Sequence, residues 1–176
     1  MQNWKKISSK VILDHPRMKV VEDIVELPSG KITDYVRYGN EGEVVTIICR
    51  NNDNKILLQK EYSYPPNEEL YQFPGGFVPK NEETEIGANR ELMEEAKYRA
   101  NKLSIIGSYF VNNRKSDVVC SVFLGTDLNE EARNGDEEEI IESYWFNELE
   151  IDEMIRVGEI RNVSVLAAWS LYKLKK

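Results

Sequence analysis

Cysteine and histidine are scarce in this chain, and their scarcity removes several chemistries at once. Two cysteines, Cys49 and Cys120, are too few for a disulfide framework or a cysteine metal knuckle. Each lies inside an apolar β-like run, Val44 to Cys49 and Val118 to Leu124, so both read as buried thiols. His15 is the single histidine, which excludes a histidine-based zinc site and leaves any Ser-His triad resting on one unsupported residue; a surface position is expected for it. A basic block is missing as well. With 23 Lys and Arg against 31 Asp and Glu, and a net charge of −8, the chain is a poor nucleic-acid binder, because each phosphate contact draws on a cation. The Lys173-Leu-Lys-Lys176 end reads as cations at a helix C-terminus. No apolar run approaches the roughly 20 residues of a membrane span, and no apolar stretch follows Met1-Gln-Asn-Trp-Lys-Lys as a signal peptide requires, so no membrane partner and cytoplasmic residence are expected. Repeats and low-complexity linkers are also absent from the sequence.

What is present suits a folded globule. The 176 residues fit one domain with a real core, and 41% apolar content with three Trp, nine Tyr and five Phe argues against disorder. Met18–Leu27 and Ile32–Tyr38 are β-like around Pro28-Ser-Gly-Lys31, a hairpin turn; Val44–Arg50 and Lys55–Tyr62 flank a second turn, Asn51-Asn-Asp-Asn54. Further strands are predicted near Leu103–Val111 and Val118–Gly125, with an acidic loop from Asn129 to Glu138. Two helices close the chain, near Asn147–Val157 and Val163–Lys175; the second sets Val163, Leu166, Ala167, Ser170, Leu171 and Leu174 at helical spacing.

The informative segment runs from Gly76 to Tyr98, GFVPKNEETEIGANRELMEEAKY. If residues from about Thr84 to Ala96 form a helix, Glu91, Glu94 and Glu95 are spaced i, i+3, i+4 and project from one face. Carboxylates gathered in this way repel one another. They are either paired with cations on a wet surface or arranged to hold a hard divalent metal through oxygen ligands. In so acidic a chain the solvated face is common, but six specified identities at set spacings arise by chance only about once in a million starting points, even in an acidic composition.

Gly76, Glu82, Arg90, Glu91, Leu92, Glu94 and Glu95 match the Nudix box, which this pattern resembles: G, five residues, E, seven residues, R-E, an aliphatic, any residue, E-E, any residue, G, an aliphatic. Lys97 stands where the closing glycine belongs and Tyr98 at the last apolar position. Glycine there permits a left-handed helix cap, so Lys97 implies either a different helix ending or strain of about 1 kcal/mol. The resemblance implies an α+β fold, the Nudix α/β/α sandwich with a mixed sheet. It also implies hydrolysis of a diphosphate linked to another moiety, with Mg²⁺ (or Mn²⁺) lowering the pKa of bound water and clamping the phosphate oxygens. An acidic protein can take such a polyanion when bound metal inverts the local field.

Carried over residue by residue, Glu91 and Glu95 are the implied principal metal ligands. Glu94 is a third ligand or a link to a second ion, and the backbone carbonyl beside the box glycine belongs to Gly75. Arg90, one turn from Glu94, is expected to hold that carboxylate in place, and Glu82 to brace the loop against the helix; a plain exposed glutamate before a helix is the alternative for Glu82. The flanks, Lys55 to Pro66, Glu69 to Gly76 and Asp136 to Phe146, are similar to ADP-ribose pyrophosphatases and related nucleoside-diphosphate-sugar hydrolases. In that branch a loop glutamate activates the water, which by position points to Glu139, then Glu138. The branch also carries an arginine where Ser63 stands and a Ser-Pro-Gly where this chain has Asn112-Asn113-Arg114; Arg114 could supply the missing cation or lie solvated in its loop.

Residues 1–41 are expected to form an N-terminal antiparallel β-extension, too small to stand alone, and 42–176 the hydrolase domain. In the resembling branch such an extension packs across a homodimer, and Tyr35 and Tyr38 could stack on a base from there or merely pack the hairpin. The expected activity is cleavage of ADP-ribose or a related nucleoside diphosphate sugar. Two alternatives stay open: another nucleoside-diphosphate-linked substrate, or a Nudix-like module that binds a nucleotide without cleaving it.

Overall fold

The computed structural model describes residues 3–131 and 141–175. The chain divides into two compact units, one formed by Met1–Glu41 with Phe110–Val118, the other by Gly42–Tyr109 with Val119–Lys176.

The first unit is an antiparallel sheet in the order β1 (Lys5–His15), β2 (Met18–Glu26), β3 (Ile32–Tyr38). The turn between β2 and β3 closes where Gly30 takes φ of +80° and donates to the Leu27 carbonyl at 2.9 Å. Along β2 the buried residues are Val21, Asp23 and Val25, every second position, as a half-buried strand requires. Asp23 is therefore a carboxylate on an apolar face, only 6% exposed. It accepts from Arg37 Nε at 2.6 Å and from the Ser9 hydroxyl, and the guanidinium holds its carboxyl below the usual carboxylate range. Strand β1 is exposed along its whole length and shifts register between Lys6 and Ser8 and between Val11 and Leu13. Segment 110–118 adds to β3: Tyr38 N–H donates to the Lys115 carbonyl at 2.7 Å, and the Tyr35 hydroxyl donates to the Arg114 carbonyl.

The second unit is built on two sheets, one in the order β10 (Ile141–Phe146), β5 (Ile56–Ser63), β6 (Glu68–Gln72). The other runs β7 (Phe77–Pro79), β4 (Gly42–Cys49), β9 (Val119–Glu130), β8 (Tyr98–Phe110). The second of these is mixed, since β4 runs parallel to β9 and antiparallel to β7. Strand β4 is central and covered on both faces, so it reads as a continuous apolar run. Val45, Ile47 and Cys49 point to one side, where they pack with Val78, Leu57, Phe123 and with Ala88, Leu92 and Ala96 of the helical stretch after Thr84. On the other side Ile48, Ile56, Leu58, Val122 and Phe73 pack against α2 (Glu148–Arg156) and α3 (Val163–Leu174). The result is the α/β/α sandwich that the resemblance implied, with one helical layer carrying the acidic motif and the other carrying the C-terminal pair.

Helix α2 starts as its sequence allows: Asn147 Oδ1 accepts from Glu150 N–H at 3.0 Å while Glu150 Oε2 accepts from Asn147 N–H at 2.7 Å, a capping box. Helix α3 lies where its spacing predicted, but a different stripe is buried. Val165, Ala168, Trp169 and Tyr172 face the core, whereas Val163 is 68% and Leu174 81% exposed. The aromatic pair decides the rotation, because Trp169 donates to Asp152 at 2.7 Å and Tyr172 to Glu148 at 2.8 Å while their rings fill the core. Strands β1, β6, β7 and β10 had no separate prediction from sequence. Both thiols are buried and unbonded to each other, burial pushes each pKa up, and His15 is exposed, as expected.

Candidate active site

The acidic motif sits on α1 (Thr84–Glu91) and on a π-helical segment, Leu92–Ala96, that continues it. The widened turn is closed by Lys97 N–H donating to the Leu92 carbonyl, and Lys97 itself takes φ of 63° and ψ of 29°. A lysine thus occupies the left-handed conformation that a glycine adopts without strain, and of the two expectations for this position strain is the one realised. Its ammonium donates to the Glu94 carbonyl at 2.5 Å, which satisfies one of the open carbonyls at the helix end. The chain then enters β8 at once. Asn89 fixes this junction from the helix side: its Nδ2 donates to the Ala100 carbonyl at 3.2 Å and its Oδ1 accepts from Ala100 N–H at 3.0 Å.

Arg90 is the centre of the site. Its Nε and Nη2 donate to Glu82 at 3.1 and 3.0 Å, its Nη1 donates to Glu91 at 2.7 Å and to Glu94 at 3.0 Å, and Nη2 also reaches the Phe77 carbonyl at 3.1 Å. The four side chains are each mostly withdrawn from solvent, so these charge-assisted bonds are little screened. The bonds to Glu82, and then the bond to Glu91, raise the arginine's pKa, while burial pushes the Glu91 carboxyl up against the pull of Arg90. The Arg90 guanidinium thus binds three carboxylates at once.

Glu95 is held separately. Its Oε2 accepts from Gly75 N–H at 3.0 Å. Gly75 and Gly76 run beside β4, where the carbonyls of Pro74 and Gly76 accept from Ile47 and Val45 N–H at 2.8 and 2.9 Å and the Gly75 carbonyl takes no part in the ladder. Both glycines are required by space. A Cβ on Gly75, at φ of +152°, would come to 2.1 Å from the Val45 carbonyl oxygen, and one on Gly76 to 2.4 Å from Glu91 Oε2.

The donor set suits a hard divalent cation in kind: carboxylate oxygens from Glu91, Glu94 and Glu95, with a backbone carbonyl at Gly75 and a glycine at 76 that leaves the Glu91 carboxylate room against the loop. Among the described residues, however, no three such side chains stand close enough together to hold an ion as they are placed. Arg90 occupies Glu91 and Glu94, so an ion would compete with it for them.

The structure therefore brings together Glu82, Arg90, Glu91 and Glu94, and joins Glu95 to Gly75. Ser63 ends β5 in register with Glu68. Tyr35, Tyr38 and Arg114 belong to the first unit, where Tyr35 also meets the Trp4 ring edge-on at 5.9 Å and Lys115 Nζ at 5.8 Å. Glu138 and Glu139 lie outside the described residues. Sequence reasoning gave Arg90 to Glu94 alone; its hold on Glu91 was missed because adjacent residues on a helix are not expected to meet, and its holds on Glu82 and the Phe77 carbonyl because they depend on how the loop lies against the helix.

A sandwich with this motif on one helical layer defines a class of diphosphate hydrolase, and comparison with known proteins agrees. Residues 41–167 match the NUDIX domain, and the chain belongs to that family. Residues 4–35 match the nucleoside diphosphate sugar hydrolase N-terminal domain. The chain is 33% identical to the ADP-ribose pyrophosphatase of Bacillus subtilis (strain 168) over 145 residues, 81% of this chain and 76% of that one. It is 28% identical to an ADP compounds hydrolase of Escherichia coli (strain K12) over 160 residues, 85% and 83% of the two chains. It is also 27% identical to the methanol dehydrogenase activator of Bacillus methanolicus over 154 residues, 86% and 81%. The fold matches a crystal structure of an ADP compounds hydrolase with a TM-score of 0.89 at 20% identity, covering 98% of this chain and 94% of that one. The protein is a Nudix hydrolase of the kind that includes ADP-ribose pyrophosphatases.

Proposed function

We propose that this enzyme cleaves the diphosphate bond of ADP-ribose or a related nucleoside diphosphate sugar, giving a nucleoside monophosphate and a sugar phosphate. The observation that carries the reading is the acidic cluster around Arg90, three carboxylates on one guanidinium with Glu95 held by Gly75 N–H beside them, at the foot of the Gly75-Gly76 loop. A bound Mg²⁺, or Mn²⁺ in its place, would supply a water of lowered pKa and charge neutralisation for the phosphate oxygens. Glu91 and Glu95, with Glu94 and the Gly75 carbonyl, are the residues assigned to hold it. Arg90 orients Glu91 and Glu94, and Glu82 anchors Arg90 to the loop. Glu139 is the proposed base, with Glu138 next, and Tyr35, Tyr38, Ser63 and Arg114 the proposed substrate contacts.

The names of the Bacillus subtilis and Escherichia coli relatives support an ADP-containing substrate. A neutral Ser63 keeps a second reading in play, a different nucleoside-diphosphate-linked substrate whose phosphates do not need a cation at that position. A homodimer is part of the proposal, with a second copy covering β1, whose exposed Ile7, Val11, Ile12 and Leu13 form an unusually apolar strand. No described helix is long and apolar enough to cross a membrane, and two free buried thiols suit the proposed cytoplasmic residence.

The test is a panel of nucleoside diphosphate derivatives with Mg²⁺ or Mn²⁺, followed by phosphate release with a coupling phosphatase, for wild type and Glu95→Gln. ADP-ribose should be among the best substrates, and the variant should lose about two orders of magnitude in rate or more. An unchanged variant rate would reject the ligand assignment, and no turnover of any compound would reject the activity.

A further inference from the structure

Gln59 is the one fully buried polar side chain, among the described residues, with both ends of its amide unpartnered. It is 0% exposed, and neither Oε1 nor Nε2 has a hydrogen-bond partner. Buried carboxamides nearly always find partners, because leaving donors and an acceptor dry forfeits their hydration with nothing in return. A methionine or leucine of similar shape would fill the same space without that penalty.

Its position says which part of the molecule the amide serves. Strand β5 alternates, with Ile56 and Leu58 facing the C-terminal helices and Leu57 packed beneath the helical stretch that carries Glu91 to Glu95. Gln59 follows Leu57 on that same site-facing side. Directly across from it are Gln72 on β6 and Ser143 on β10. Gln72 donates to Glu61, the next site-facing residue of β5, and Ser63 comes after it. Three residues beyond Gln72 lies Gly75, whose N–H holds Glu95. Gln59, Glu61, Ser63, Gln72 and Ser143 thus share one face of this sheet as a strip, with the Gln59–Gln72 pair at the end nearest Gly75 and Ser63, opposite Glu68, at the other.

This strip contains no cation. Glu61 would repel phosphate oxygens, whereas a carboxylate interleaved with carboxamides and hydroxyls is well matched to neutral hydroxyl groups, which both donate and accept. We infer that Gln59 is a specificity-determining residue, its carboxamide holding a neutral hydroxyl at the site-facing side of β5, and that this hydroxyl belongs either to the sugar moiety of the substrate or to an enclosed water that orders the strip. The inference deepens the diphosphate-sugar reading and rests on it.

The experiment compares wild type and Gln59→Met on ADP-ribose and on the methyl ester of ADP, whose leaving group carries no sugar hydroxyl, with a thermal melt of each protein. Wild-type turnover tests the underlying reading, and the variant-to-wild-type ratio tests Gln59. Expected is a variant that melts no lower than wild type yet loses about tenfold or more in kcat/KM on ADP-ribose. A loss confined to ADP-ribose assigns the hydroxyl to the terminal sugar; an equal loss on both compounds assigns it to a group both complexes share, the adenosine ribose or an enclosed water. Unchanged kinetics on both would overturn the inference. So would a Gln59→Met that melts far lower together with a Gln59→Leu that does the same, since the amide would then be structural.

Discussion

Two arginines organise this chain in opposite ways. In the N-terminal sheet, Arg37 and Asp23 form a pair of one cation and one anion, with the Ser9 hydroxyl completing the carboxylate's shell. In the second unit, Arg90 faces Glu82, Glu91 and Glu94 together. The first arrangement is electrically closed and asks for nothing more. The second crowds three mutually repelling carboxylates onto one guanidinium in a partly dry place, beside the Gly75-Gly76 loop. A one-to-one buried pair is a mark of architecture, and a crowd of carboxylates beside a glycine loop is a mark of chemistry.

Substitutions on each side should separate the two. The largest effect is expected for Glu91→Gln, which should cut turnover about 100-fold or more while leaving the melting temperature near that of wild type or above it, because one repelling charge has gone. A Glu91→Gln enzyme of normal rate would erase the distinction. Asp23→Asn should strand the Arg37 charge and lower stability by about 2 kcal/mol, seen as a fall of roughly 4–8 °C in Tm.

That second effect carries a pH signature. Asp23 is held below its ordinary pKa by Arg37, so its contribution is full above the unfolded value near 3.9 and is lost as pH falls through it toward the folded value. The gap in melting temperature between wild type and Asp23→Asn should therefore be constant near neutral pH and close below about pH 4. A gap that widens on acidification would contradict the pairing. The smallest effect is expected at Lys97→Gly, where relief of the left-handed lysine backbone should add at most about 1 kcal/mol to stability in a denaturant titration, partly offset by the bond lost from Lys97 to the Glu94 carbonyl.

The same contrast explains what could be read in advance. The motif was legible because its spacing is local, and the Arg90 to Glu94 bond follows from it; the α-helical face expected for Glu91, Glu94 and Glu95 together did not, since Glu94 and Glu95 lie in the π-helical segment and Glu95 turns to Gly75. The Gly75 to Glu95 bond spans twenty residues and depends on how the loop lies along β4, which no local rule gives. Strand β1 went unpredicted because it is exposed on both faces and carries bulges, so KKISSKVILDH shows no alternation to detect. Helix α3 was placed, and its Leu166 and Leu171 do pack against the core, but counting residues at helical spacing gave no weight to Trp169 and Tyr172, whose polar tips select the fully buried stripe. Nothing in the sequence signals the π turn. It inserts one residue's worth of slack between Leu92 and Lys97, and only the tertiary packing of Leu92 and Ala96 shows where the slack is taken up.

Asn89, clasping both polar groups of the Ala100 backbone, acts as a ruler. It fixes the number of residues that can lie between the motif helix and the following strand, and Lys97 uses the last of that length on a reversal of direction. The helix cannot slide along its axis without breaking the clasp, so the height of the acidic side chains above the sheet is set in whole residues. Insertions or deletions among the ten residues between Asn89 and Ala100 would shift the acidic side chains of the motif together, which makes this stretch poorly able to change in length.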